Sequence, residues 1–118
     1  MSANAPPGGL ALAGTLRKFG AGVRIVETPA LVMPTSPPKQ ILVNNPDRIF
    51  WVVMNLSPYS GTIAFNDQMT LQSGLLLAGL GGFAAMLVDE DGECVTYPLW
   101  GLSSVSGQSW YLLEIMRA

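Results

Sequence analysis

The sequence contains no histidine, a single cysteine and few charged residues. Without histidine the chain lacks the commonest general base and metal ligand, and Ser-His and Cys-His nucleophile pairs are excluded. The lone Cys94 cannot form a disulfide within the chain, so a disulfide scaffold is excluded as well. We therefore expect a protein that is not an enzyme, with no catalytic residues, no metal site, no cofactor and no small-molecule substrate.

Charged residues make up only 12% of the 118 residues, and the mean hydropathy is positive. The surface of a soluble monomer normally carries more charge, so we expect part of this surface to be covered by other subunits. The formal net charge is −2, and no basic run extends beyond Arg17-Lys18. Nucleic acid is therefore not expected as a direct partner.

A long uncharged stretch, residues 68–88, raises the question of a membrane span. Its apolar part, residues 74–88, is shorter than the roughly 20 residues that a spanning helix requires and contains four glycines. The stretch is better interpreted as two buried strands, 75–78 and 83–88, joined by a glycine-rich turn. A spanning segment is the weaker alternative, and no membrane partner is expected.

Residues 40–55 are the stretch around which the rest of the chain is organised. A short apolar run leads into Asn44-Asn45-Pro46-Asp47, which is a strong turn signal. Six apolar residues then follow, at positions 49–54, and leave no polar face for solvent. The pattern predicts a strand, a corner and a central strand that is covered on both sides. The turn residues 56–61 that follow predict a hairpin into residues 62–65.

The corner residues Asn45, Pro46 and Arg48 are assigned a structural role. We expect Arg48 to bind carbonyl oxygens of the turn, or to pair with an acid such as Asp47 or Glu114, in preference to contacting a ligand.

The chain before this stretch is predicted to lie partly outside the core. Residues 1–22 are interpreted as a flexible N-terminal arm, and residues 23–39 as a Pro-rich extended connector with a candidate first strand at 23–26. Residues 40–118 form the sandwich domain. The arm carries four large apolar residues that are candidate inter-subunit anchors, although a disordered tail explains the composition equally well: Leu10, Leu12, Leu16 and Phe19.

The C-terminal third contains the densest charge, at residues 89–93. A calcium loop is disfavoured because its later ligands are missing, and Asp91-Gly92 predicts a hairpin turn instead. A returning strand at 95–100, a Ser/Gly loop at 101–107 and a final strand at 109–116 are expected to follow.

Three tryptophans offer an alternative interpretation. If Trp51, Trp100 and Trp110 were exposed, they could stack on sugar rings, which would make the protein a carbohydrate-binding β-sandwich module. Packing in the core or in an interface is the more common role for such side chains.

The complete pattern predicts an all-β fold. Short strands are separated by turn signals, and no convincing long helix is present. We expect an antiparallel β-sandwich or jelly roll of about six to eight short strands with an extended N-terminal arm.

Several short motifs within residues 40–115 are similar to those of a known group of proteins. The chain resembles small β-sandwich virion proteins of tailed bacteriophages, which act as head decoration or cement proteins, head fibres or minor particle components. The motifs that carry the resemblance are Asn44-Asn45-Pro46-Asp47-Arg48, the apolar strand ending in Asn55-Leu56, Ser73-Gly74-Leu75-Leu76-Leu77-Ala78-Gly79, and a Gly-Ser loop before a last strand containing Glu114.

The resemblance implies a structural virion protein on the surface of a phage head, assembled in the host cytoplasm. It would bind the major capsid protein or other virion subunits through repeated apolar interfaces, as a homotrimer by analogy with decoration proteins. A neck, tail or spike protein is the nearest alternative within the same group.

Overall fold

The computed structural model describes residues 22–117. These residues form eight strands and, between β6 and β7, a short helix α1 followed by a 3-10 helix. The strands are β1 (Val23–Met33), β2 (Lys39–Leu42), β3 (Arg48–Asn55), β4 (Gly61–Ala64), β5 (Leu75–Leu77), β6 (Gly82–Leu87), β7 (Leu99–Ser103) and β8 (Gln108–Arg117); α1 is Val88–Asp91 and the 3-10 helix is Gly92–Thr96.

The strands form two antiparallel sheets of four. The first sheet has the order β1-β8-β3-β6 and the second the order β2-β7-β4-β5. Among the described strands, β4 and β5 are the only consecutive pair that shares a sheet. Two four-stranded sheets with these crossing connections make an eight-stranded jelly roll. The prediction of an all-β sandwich or jelly roll is confirmed.

Strand β3 lies in the interior of the first sheet, between β8 and β6. Its alternate residues Trp51 and Val53 point into the space between the sheets, where Trp110 of β8 and Leu77 of β5 are also buried. The central position that the apolar run predicted is confirmed. Neighbouring residues on the opposite side of the strand form a second buried cluster with Leu87 and Ile115.

Two predicted hairpins are wrong because the chain crosses between the sheets where it was expected to turn back. After β3 the chain leaves the first sheet and enters β4 in the second. The glycine-rich turn after β5 is present, with positive φ at Leu80 and Gly81, but it leads from the second sheet to the first. Strand β5 is an edge strand, so two of its three leucines are exposed and not buried as expected.

The hairpin predicted at Asp91-Gly92 is also wrong. The backbone coils through α1 and the 3-10 helix, and the Leu87 amide donates to Asp91 Oδ2 at 2.9 Å. This coiling buries Val95 completely in the core, which an extended hairpin tip would have left in solvent. The following strand consequently begins at Leu99 and includes the first residues assigned to the Ser/Gly loop.

The Pro-rich region is more regular than its composition suggests. Strand β1 occupies residues 23–33 at the edge of the first sheet, and a register shift between Thr28 and Leu31 accommodates Pro29. The chain then passes through the cis Ser36-Pro37 bond into β2 of the second sheet. In residues 22–117 no helix is long and apolar enough to cross a bilayer.

Candidate functional site

A buried arginine lies at the corner before the central strand. Arg48 is 1% exposed, and its Nε donates to Glu114 Oε1 at 3.0 Å. Its Nη2 donates to the Val43 carbonyl at 2.8 Å and its Nη1 to the Val95 carbonyl at 3.4 Å. One guanidinium therefore links the end of β2, the 3-10 helix and β8, because its planar fork can donate in several directions at once.

The corner itself is held by the hydrogen bonds of an Asx turn. Asn45 Oδ1 accepts from the Asp47 amide at 3.0 Å, and the Asn45 carbonyl accepts from the Arg48 amide at 3.1 Å. The Asp47 carbonyl in turn accepts from the Arg117 amide at 2.8 Å, which ties the corner to the end of β8. Pro46 contributes its carbonyl, 3.5 Å from Arg117 Nη1. These contacts pair the polar groups of the corner with one another and with the end of β8.

A second buried polar centre lies at the other end of β3. Asn55 is fully buried, and its Nδ2 donates to the carbonyls of Tyr59 at 2.7 Å and Leu77 at 3.2 Å. Its Oδ1 accepts from the Ser57 amide at 3.0 Å and hydroxyl at 2.8 Å. Asn55 thus fastens the β3–β4 crossing to strand β5. The sequence analysis missed this role; the available signal was an amide side chain that directly ends a six-residue apolar run.

An apolar cleft of about 310 Å³ opens between the two sheets, on the side formed by their edge strands β5 and β6. Trp51 forms its floor, and the exposed side chains of Phe65 and Leu75 stand at its mouth. Its polar rim consists of Asn66 and Ser73. The lining is suited to apolar contact and holds no titratable group.

Two tyrosines among the described residues have pKa values that are raised by their surroundings. The Glu93 carboxylate, which accepts from Tyr97 Oη at 3.3 Å, is the main cause of a raised pKa at Tyr97. Burial raises the pKa of Tyr111, and the Glu27 carboxylate adds to this through its charge and a hydrogen bond. Cys94 is half-buried and free. No group of His, Cys, Asp and Glu side chains within residues 22–117 is arranged to hold a metal ion.

The tryptophans do not form a sugar-stacking surface. Trp51 and Trp110 are buried in the core between the sheets, and Trp100 is half-buried. Packing in the core, the role that the sequence favoured for these side chains, is therefore found for Trp51 and Trp110. The four candidate anchors of the N-terminal arm lie outside the described residues: Leu10, Leu12, Leu16 and Phe19.

Comparison with known proteins yields similarities in fold alone. No protein-family model and no curated protein matches the chain. Among solved structures, the coat protein dimer of Tobacco streak virus aligns with a TM-score of 0.42 at 8% identity, covering 83% of this chain and 88% of that chain. A second crystal form of that coat protein aligns with a TM-score of 0.40 at 7% identity and the same coverage.

Proposed function

We propose that this protein is a structural component of a virus particle and acts by binding other subunits, without catalysing a reaction. Three features support the proposal. The motifs around the corner and β3 resemble those of phage virion proteins. The jelly roll is an architecture that capsid domains use, although lectins and cupins share it. The buried polar side chains Arg48 and Asn55 are engaged in internal contacts.

The observation that carries the proposal is the apolar surface at the open side of the sandwich. Phe65 and Leu75 are exposed at the mouth of the cleft, and Leu76, on the other side of edge strand β5, is 65% exposed. Exposed apolar side chains on both sides of an unpaired strand edge mark a contact surface for another protein. Repeated over many copies, contacts of modest affinity would bind the protein firmly to a lattice.

More specifically, we propose that the protein is a decoration or cement protein on a tailed-phage head. Its partner would be the major capsid protein, its oligomeric state a homotrimer and its location the outer surface of the head, after assembly in the host cytoplasm. The sequence resemblance supports these details. A neck, tail or spike protein would use the same contact surface in far fewer copies.

Copy number separates these roles. Particles purified from the source culture are analysed by quantitative mass spectrometry, with the ratio of this protein to the major shell protein as the readout. A ratio near one, or a simple fraction of it, is expected for a protein spread over the lattice. A dozen copies or fewer would place the protein at the neck or tail and contradict the decoration role. Its absence from particles would overturn the virion proposal.

The contact surface can be tested separately by changing one exposed leucine. Leu76→Asp should reduce rebinding of the purified protein to particles that lack it by at least tenfold, because an acid would be buried in an apolar interface. The matched control is Val43→Asp, since Val43 is 61% exposed but lies in the loop before the corner. Equal binding by both variants and the unmodified protein would exclude the β5 edge as the contact surface.

A further inference from the structure

The outward face of the first sheet, on the side away from the second sheet, is apolar, and its two edges are exposed. The strand register places side chains from all four strands on this face. Ile25 is 57% exposed there and Phe83 45% exposed, at opposite edges. Of the residues that the register assigns to this face, only Glu27 and Arg117 are charged. The face is defined by Ile25, Met54, Phe83, Ala85, Tyr111 and Leu113.

The outward face of the second sheet is covered by the chain itself. Its outward residues Thr62 and Leu102 are buried, because the chain between β4 and β5 folds back over them. Met69 of that connection is buried, and the Leu71 carbonyl accepts from Thr62 Oγ1 at 2.8 Å. On the first sheet, by contrast, the outward residues Ile25, Phe83 and Ala85 are exposed. This part of the apolar outward face is therefore accessible to another segment or another protein.

The chain outside the described residues joins at the margin of this face. Val23, the first residue of β1, packs against the second buried cluster, which contains Phe50, Leu87 and Ile115. These three side chains lie next to one another on the outward face by register. They are only 2–5% exposed, so this end of the face is already covered, and the chain enters β1 beside it.

We infer that residues 10–19 of the same chain dock on the outward face of the first sheet. Phe19 precedes Val23 by four residues, so the two Cα atoms are separated by at most about 14 Å. Leu10 can reach about 45 Å from Val23, whereas the four strands span only about 14 Å from first to last. Leu10, Leu12 and Leu16 can therefore reach every strand of the face.

The composition of the segment matches the face. Its four large apolar residues correspond to the apolar side chains of the face. A short tether gives the segment an effective concentration in the millimolar range at its own sheet, above the concentration of other copies in dilute solution. This inference does not depend on the virion proposal, and it assigns the four proposed anchors to an intramolecular contact.

Cross-linking tests both the position and the origin of the segment. In a full-length Cys94→Ser background, Leu16→Cys is combined with Ala85→Cys on the outward face, and the protein is treated with a short bismaleimide. The matched control combines Leu16→Cys with Leu76→Cys on the outward side of the second sheet. We expect cross-linked monomer from the Ala85 pair, at least tenfold more than from the control, with a yield independent of protein concentration.

Other outcomes would overturn the inference. Cross-linked dimers whose yield rises with concentration would show that the segment binds a neighbouring copy. Equal yields from the two pairs, or no cross-link in either, would show that the segment has no preference for this face.

A second measurement leaves the sandwich unchanged. Serine replaces Leu10, Leu12, Leu16 and Phe19, and binding of an apolar fluorescent dye is compared with that of a control with serine at Ala11, Ala13 and Thr15. The first variant should bind the dye several-fold more strongly because the face becomes accessible, while tryptophan emission from the core stays unchanged. Equal dye binding by the two variants would contradict the docking.

Discussion

Arg48 Nε donates a hydrogen bond to Glu114 Oε1 at 3.0 Å, joining the corner before β3 to the last strand of the chain. The arginine side chain is 1% exposed and that of the glutamate 16% exposed. Burial removes the arginine and most of the glutamate from water, so loss of either partner would leave the other largely buried and unpaired. The ion pair therefore stabilises the folded state, and salt screens it only weakly.

Arg48→Met should lower the free energy of unfolding by about 3 kcal/mol, since it leaves Glu114 and two backbone carbonyls without their donor. Urea denaturation followed by tryptophan fluorescence measures the change. Arg24→Met is the control, because Arg24 is exposed and its replacement should stay within about 0.5 kcal/mol. The double variant Arg48→Met/Glu114→Leu should be more stable than Arg48→Met alone. A decrease in the free energy of unfolding below about 1 kcal/mol for Arg48→Met would contradict the stabilising role of the ion pair.

The corner and β3 could be predicted because their signals are local. Pro46 excludes a helix, and the six apolar residues after Arg48 leave no solvent face, so both follow from the backbone and side chains of a few neighbours. The sequence predicts the types of partner that Arg48 has, because turn carbonyls and acids such as Glu114 are the acceptors expected at a corner. Its contact with the Val95 carbonyl depends on where the 3-10 helix packs.

The remaining features depend on contacts between distant residues. A turn signal does not reveal whether the next strand joins the same sheet, so the crossings after β3 and β5 were interpreted as hairpins. The coiled backbone at residues 88–96 is explained by the burial of Val95 in the core. The local sequence Asp91-Gly92 does not indicate that burial. Asn55 is also an ordinary turn residue, and its burial is decided by the carbonyls of Tyr59 and Leu77.

Asn55→Asp should be more destabilising at neutral pH than at acidic pH. The carboxylate cannot donate to the Tyr59 and Leu77 carbonyls and would be buried facing them, which should cost about 3 kcal/mol at pH 7. Burial raises the pKa of the introduced acid, so the protonated form is favoured in the folded protein. Its stability relative to the unmodified protein should therefore be highest below the unfolded pKa and fall as pH rises.

Urea titrations at pH 4 and pH 7 measure this difference, with Asn66→Asp as the control at an exposed amide. A penalty for Asn55→Asp that does not depend on pH would contradict the assignment of Asn55 as a buried donor.

Gly61→Ala should destabilise the sandwich by about 1–3 kcal/mol through overpacking. A Cβ at this position would overlap the Trp110 indole ring and lie 2.8 Å from the Leu102 carbonyl oxygen. Trp110 is completely buried and has no room to move away. Thermal unfolding and near-ultraviolet circular dichroism of the indole report the effect.

The control is Gly107→Ala, in which the added Cβ meets no atom within 4 Å. Its cost therefore arises from the backbone alone, and the indole signal should not change. Identical spectra for the two variants would show that the close approach of Gly61 to Trp110 does not constrain the indole.

Tyr111 should lose its proton at a higher pH in the folded protein than in urea. Burial and the Glu27 carboxylate both raise its pKa above 10.0 by favouring the neutral phenol. Because the folded-state pKa lies above the unfolded one, the folded state binds more protons between the two values. The stabilising contribution of Tyr111 is therefore complete below about pH 10 and is lost as pH rises toward the folded-state pKa.

Absorbance at 295 nm follows phenol ionisation, and the Tyr111→Phe variant identifies the contribution of this residue by difference. Glu27→Gln should lower the pKa of Tyr111, since it removes the negative charge but retains a hydrogen-bond acceptor beside the hydroxyl. The matched change Glu93→Gln should lower the pKa of Tyr97 and leave that of Tyr111 unchanged, because Glu93 contacts only the former tyrosine among the two. A Tyr111 transition that does not move in Glu27→Gln would show that the two residues on the outward face of the first sheet are not coupled.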